Sequence, residues 1–130
     1  IDIGAYFAGR FIGGPKLAPR ISPKKTWAGL IGGMMGAAMV GMGTSLWIGL
    51  GSPVLLALIG VGMTVIEQAG DFFESALKRR AGVKDSGTLI PGHGGILDRV
   101  DGLVAVAIGA ALLALLHNAA HPGAGVLIWP

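Results

Sequence analysis

Residues 27–66, WAGLIGGMMGAAMVGMGTSLWIGLGSPVLLALIGVGMTVI, run for forty positions without an Asp, Glu, Lys or Arg. A bilayer core about 30 Å thick needs roughly 20 apolar residues per helix, so the stretch is long enough for two spans. Gly51-Ser52-Pro53 divides it, and Pro is tolerated at the first position of a helix, where its missing N–H would be unpaired anyway. The reading is therefore one helix over about 27–50 and a second from about 53 to 80. A third apolar segment starts near Leu97 and runs through Leu116, with 120 as its outer bound, and no Asp, Glu, Lys or Arg follows Gly102. The expected fold is an all-α, polytopic membrane helix bundle of about three full transmembrane helices, with residues 1–7 as the end of a truncated one.

Composition agrees. The 130 residues are 52% hydrophobic and 13% charged, with 24 glycines and a mean hydropathy of +0.70. Soluble domains carry about 25% charged residues, so neither a soluble core nor a disordered chain fits. The ten basic residues fall in two blocks, 10–25 and 78–99, on either side of the first two spans. Two crossings return the chain to the side it left, so the positive-inside rule puts both blocks in the cytoplasm. The excess of basic residues is explained by anionic lipid headgroups rather than nucleic acid. With no cysteine, disulfides and thiolate metal sites are excluded. The chain begins at Ile1 with no signal-peptide pattern, and it reads as a piece of a longer membrane protein. Residues 9–23, with Gly13-Gly14-Pro15, Pro19 and Pro23, read as a loop. His121-Pro122-Gly123 closes the third span, leaving a short apolar tail. Gly29/Gly33 and Gly32/Gly36 form overlapping GxxxG pairs, which suit either packing inside the bundle or a homodimer through the glycine-rich helix 28–50.

The chemistry concentrates in 67–101. Glu67, Asp71, Glu74 and Lys78 recur at three- and four-residue spacing and share one helix face. Asp98 and Asp101, three apart, share a face at the start of the third span. Ionisable groups beside apolar spans are costly and usually functional. The carboxylates of Asp71, Asp98 and Asp101 are hard donors suited to Mg2+ or Mn2+; the competing reading is favourable charge at a helix N-terminus. Lys78, Arg79, Lys84 and Arg99 surround a glycine-rich loop and match phosphate oxygens. His93 lies between two glycines and suits a substrate contact. His117 and His121 sit at the far end of the third span and read as interfacial. A cation site beside bases and glycines fits phosphoryl or nucleotidyl transfer.

Ser75-x-x-Lys78-Arg79, Lys84-Asp85, His93-Gly94-Gly95 and Asp98-Arg99-x-Asp101 together resemble the signature of the phosphatidate cytidylyltransferase (CDP-diacylglycerol synthase) family. Asp2-x-Gly4-Ala5-Tyr6 and Ile21-Ser22-Pro23-Lys24-Lys25-Thr26-Trp27 are similar to that family's upstream segments, although Ala28 stands where the family often has Glu. The resemblance implies that 1–130 is the C-terminal catalytic part of a cytidylyltransferase domain, with further spans upstream, in the bacterial inner membrane. It implies transfer of CMP from CTP to phosphatidate, giving CDP-diacylglycerol and pyrophosphate. It implies Asp71, Asp98 and Asp101 as metal ligands, with K+ as the second ion. Glu74 and Ser75 would line the same groove, and His93, Gly94 and Gly95 would shape a pyrophosphate pocket. Lys78, Arg79, Lys84 and Arg99 would neutralise phosphates, while Ser22, Lys24, Lys25 and Thr26 would close over nucleotide or lipid. Two other classes are the alternatives: a CDP-alcohol phosphotransferase, whose Asp-x-x-Asp-Gly-x-x-Ala-Arg pattern is only partly echoed by Asp98–Gly102, and a non-catalytic membrane subunit.

Overall fold

A computed structural model describes residues 1–49, 51–82, 97–118 and 120–128, with the side chains of 97–99 and 122 excepted. The order of elements is α1 (Asp2–Phe11), β1 (Lys16–Ala18), β2 (Ser22–Thr26), α2 (Trp27–Ile48), α3 (Pro53–Arg80), α4 (Leu97–Asn118) and α5 (Pro122–Leu127). Three of the helices, α2, α3 and the Val100–Asn118 part of α4, are long and apolar enough to cross a membrane. The bundle of spans is as expected.

Local chemistry explains the boundaries. Thr26 caps α2, its Oγ1 accepting from the Gly29 N–H at 3.1 Å, and Gly49 ends the helix in the left-handed region at φ +70°, where glycine is favoured. Ser52 caps α3 with Pro53 in the first turn, and Ser45 Oγ donates to the Gly51 carbonyl at 3.1 Å, closing the turn between the helices. Lys78, Arg79 and Arg80 occupy the last turn of α3, the favourable end of the helix dipole for cations. Thr26→Ala is expected to lower bundle stability by about 1 kcal/mol, read as thermal unfolding in detergent, with Thr26→Ser recovering most of it.

Small residues bring the helices together. A Cβ on Gly60 would lie 2.6 Å from the Ala37 carbonyl oxygen, and one on Gly41 would overlap the Leu56 carbonyl, so α2 and α3 touch backbone to backbone. Likewise Gly4 of α1 sits against the Gly32 carbonyl, Gly29 against the Ala5 carbonyl and Gly33 against Ile1. Both GxxxG pairs of α2 are thus covered by α1. The large apolar side chains point outward instead: Met39 is 72% exposed, Trp47 90% and Leu116 86%. That distribution suits a bilayer, where lipid tails solvate such side chains and helix association depends on close packing of small ones.

Two segments differ from the sequence reading. Within the expected 9–23 loop, α1 continues to Phe11 and a hairpin follows, Lys16 pairing with Thr26 and Ala18 with Ser22 around a bulge. Its turn is closed by the Ile21 N–H donating to the Ala18 carbonyl at 3.2 Å, with Pro19 in the position whose fixed φ favours it. Pro23 fits because a two-stranded sheet has only edge strands, where a missing donor is tolerated. The expected apolar tail forms α5, started by Pro122 and tied to α4 by His117 Nδ1, 3.0 Å from the Gly125 carbonyl oxygen.

Candidate active site

The polar stripe on α3 faces inward at one end of the bundle. Glu67 has Lys25, Asp2, Asp71 and Asp101 as its charged surroundings, which draws α1, β2, α3 and α4 to one point. Gly102 makes this possible on α4, because a Cβ there would stand 2.8 Å from Glu67 Cγ and 2.9 Å from its Oε1. Asp101 itself is oriented by the Gly102 N–H, which its Oδ1 accepts at 2.7 Å. Lys25, positioned by the hairpin one residue before the α2 cap, forms an ion pair with Asp71 Oδ2 and lies 5.6 Å from the centre of the Phe72 ring. Ser75 Oγ donates to the other Asp71 oxygen at 3.4 Å. One turn further along α3, Glu74 is buried, 3.3 Å from Lys78 Nζ, and also faces Asp101.

Two adjoining cavities, each of about 400 Å³, open at this end. Ile1, Asp2, Lys25 and Glu67 form the wall they share. The first is acidic: Asp71 and Asp101 join that wall, so four carboxylates face a single lysine. The second lies between α1, α2 and α3, where Arg10, Lys24, Thr26 and Gln68 join the wall above an apolar floor that includes Leu30 and Gly33. Lys25 of the first basic block and Lys78 of the second pair with acids one turn apart on α3, Asp71 and Glu74, so these two lie at the same end of the bundle.

Of the expected site residues, Asp71, Asp101 and Lys25 come together in the acidic cavity, and Glu74, Ser75 and Lys78 continue its α3 face. Lys24 and Thr26 line the second cavity. Ser22 lies on β2 opposite Ala18 and lines neither. Arg79 is exposed at the end of α3. Lys84, His93, Gly94 and Gly95, and the side chains of Asp98 and Arg99, lie outside the described residues. Sequence reasoning assigned no role to Asp2, Arg10 or Gln68; α1 brings the first two to the site, more than fifty residues from Gln68 on α3. Glu67 was visible as the first member of the acidic stripe.

The donor set suits a divalent cation in chemistry: hard carboxylate oxygens, with a surplus of negative charge that Lys25 alone does not balance. Among the described residues no three acid or histidine groups are gathered closely enough to hold an ion. Lys25→Met leaves Asp71 without its cation and is expected to cost stability at this end of the bundle, measured as thermal unfolding in detergent. Lys25→Arg should recover part of it.

Fold and site together define an integral membrane protein of α-helices with a charged, carboxylate-rich chamber at one end of its bundle. Residues 1–117 match the Cytidylyltransferase family, and the chain belongs to that family. It is similar to the phosphatidate cytidylyltransferase of Brucella suis, 54% identical over 110 residues covering 82% of this chain and 39% of that protein. The corresponding protein of Pseudomonas aeruginosa is 48% identical over 115 residues, covering 86% of this chain and 42% of its own. That of Rickettsia bellii is 41% identical over 114 residues, covering 82% and 49%. The chain thus spans about two fifths to one half of the length of these relatives.

Proposed function

We propose that the protein to which this chain belongs transfers CMP from CTP to phosphatidate, forming CDP-diacylglycerol and pyrophosphate. The observation that carries the reading is the acidic cavity, in which Asp71 of α3 and Asp101 of α4 face one another's helices beside Lys25. The family membership and the printed names of the relatives support the same assignment. In the reaction a phosphate oxygen of the lipid forms a bond to the α-phosphorus of CTP, and the bond from that phosphorus to the α,β-bridging oxygen breaks. Pyrophosphate leaves with the electron pair. The attacking phosphate is ionised at neutral pH, so no general base is required.

The obstacle is the meeting of two anions. At about 4 Å and an effective dielectric near 20, each pair of unit charges repels by roughly 4 kcal/mol. Asp71 and Asp101, with Asp98, would hold Mg2+ or Mn2+, with K+ as the second ion, supplying positive charge to the non-bridging oxygens. Lys25 and Lys78 add charge from either side of the acids, and Arg79, Lys84 and Arg99 extend it. Glu74 and Ser75 hold Lys78 and Asp71 in place. His93, Gly94 and Gly95 complete a pocket for pyrophosphate, and Ser22, Lys24 and Thr26 border the approach of the lipid. Orientation of the reactants then accounts for the rest of the acceleration.

The site faces the cytoplasm in this reading, at the bacterial inner membrane, because Lys25 and Lys78, one from each basic block, lie at its end of the bundle. A homodimer through residues 28–50 would have to use the outward Met35 and Met39 face, since α1 covers the glycines. Incubating the full-length protein with labelled CTP and phosphatidate tests the function: label should move into chloroform-soluble CDP-lipid, with stoichiometric pyrophosphate. Consumption of CDP-lipid instead would mark a phosphotransferase, and neither reaction would mark a non-catalytic subunit.

A further inference from the structure

The second cavity is built for a different guest from the first. Its charged lining carries three cations, Arg10, Lys24 and Lys25, against two carboxylates, Asp2 and Glu67, whereas the acidic cavity has four carboxylates and one cation. Into the basic cavity projects Gln68, whose Nε2 is buried and has no hydrogen-bond partner among the described residues. A buried amide N–H without an acceptor costs about 1–3 kcal/mol, and a bound acceptor removes that cost. Arg10 is held at the mouth by a 2.9 Å hydrogen bond from its Nη1 to the Tyr6 hydroxyl, and the floor of the cavity is apolar.

We infer that this second cavity receives the phosphate monoester of the lipid substrate, with Gln68 donating to a phosphate oxygen and Arg10 supplying charge at the mouth. The inference rests on the transferase reading and divides its site in two, lipid phosphate between α1, α2 and α3, nucleotide phosphates on the acidic side. A cationic rim above an apolar floor matches a headgroup joined to glycerol and acyl chains. A triphosphate, with charge along its whole length, matches it poorly. Lys25 stands in the shared wall and also pairs with Asp71, so a phosphate oxygen beside Gln68 is already next to the acidic chamber. Gln68 is then a specificity-determining residue for the lipid and not for the nucleotide.

The test uses the full-length protein in detergent micelles, with Gln68→Leu, Gln68→Glu and Arg10→Gln. KM is measured separately for dioctanoyl phosphatidate and for CTP. Binding of dioctanoyl phosphatidate, dioctanoylglycerol and inorganic phosphate is measured without CTP. The expected result is a tenfold or greater rise in KM for phosphatidate in all three variants, largest for Gln68→Glu, with KM for CTP changed less than twofold. Phosphatidate binding should weaken in parallel, and dioctanoylglycerol should bind poorly throughout. Arg10 is exposed, so its variant does not depend on refilling a buried position. A rise in KM for CTP in place of phosphatidate would assign the cavity to the nucleotide and overturn the inference. Inorganic phosphate bound as tightly as phosphatidate, with the same dependence on Gln68, would make it a free-phosphate site and overturn it also. The binding arm needs no turnover: Gln68-dependent phosphatidate binding without CDP-lipid formation supports the cavity and defeats the transferase reading. CDP-lipid formation with binding insensitive to Gln68 does the reverse.

Discussion

Asp71→Asn is expected to remove CTP-dependent CDP-lipid formation almost completely, by roughly a hundredfold to a thousandfold, the scale on which single electrostatic groups in active sites act. The substitution keeps the shape of the side chain, and an amide still accepts from Ser75 Oγ, now 3.4 Å from Asp71 Oδ1. What it removes is the charge opposite Lys25 and one of the hard oxygen ligands proposed for a cation. Asp101→Asn should behave alike, since that carboxylate faces the same cavity from α4. The measurement is labelled product per unit of protein, beside the amount of protein inserted in the membrane, which should not change. Near-normal turnover in both variants would show that these acids serve packing alone. A second comparison separates the roles further. If the Lys25–Asp71 pair were only structural, replacing both partners by apolar residues of similar volume would be tolerated, because the desolvation of both ions disappears with them. The double variant is expected to be well inserted and inactive.

Gly60→Leu is expected to have the largest effect on the fold. Even a methyl group at this position would stand 2.6 Å from the Ala37 carbonyl oxygen and 2.9 Å from its carbon. The obstacle is backbone, so no rotamer change relieves it, and α2 and α3 must separate. Overpacking of this kind costs typically 1–3 kcal/mol, and a leucine extends the displacement beyond one methyl. Thermal unfolding in detergent should fall by several degrees, and activity should fall with it because Asp71 is on α3 and Lys25 is on β2, which leads directly into α2. Gly62 supplies the control: nothing lies within 4 Å of a Cβ built there, so Gly62→Ala should be neutral or slightly stabilising, as alanine is about 1 kcal/mol the better helix former. Equal losses in the two variants would show that glycine acts here through helix propensity and not through contact between helices.

The acidic stripe explains why so much of the site was readable beforehand. Glu67, Asp71, Glu74 and Lys78 belong to one helix, and a period of 3.6 places them on a common face whatever that helix packs against. The three spans were readable for the same reason, since length and hydropathy are local quantities. The hairpin was not, because a segment holding Pro15, Pro19 and Pro23 looks like a loop until Lys16 finds Thr26 ten residues on. Nor was α5, whose Pro122 resembles a terminator in sequence and serves as a first-turn residue in the structure.

Hydropathy, residue spacing and the phosphate-matching motifs were enough to establish a membrane bundle with carboxylates and bases gathered near one surface. That Asp2 and Lys25 share a wall with Asp71 and Asp101, while Arg10 and Gln68 line an adjoining basic chamber, was decided by tertiary packing. The reason is physical. Which faces of α1, α2 and α3 meet depends on backbones touching through Gly4, Gly32, Gly41 and Gly60, and a glycine in a helix looks the same in sequence whether another backbone rests on it or lipid does.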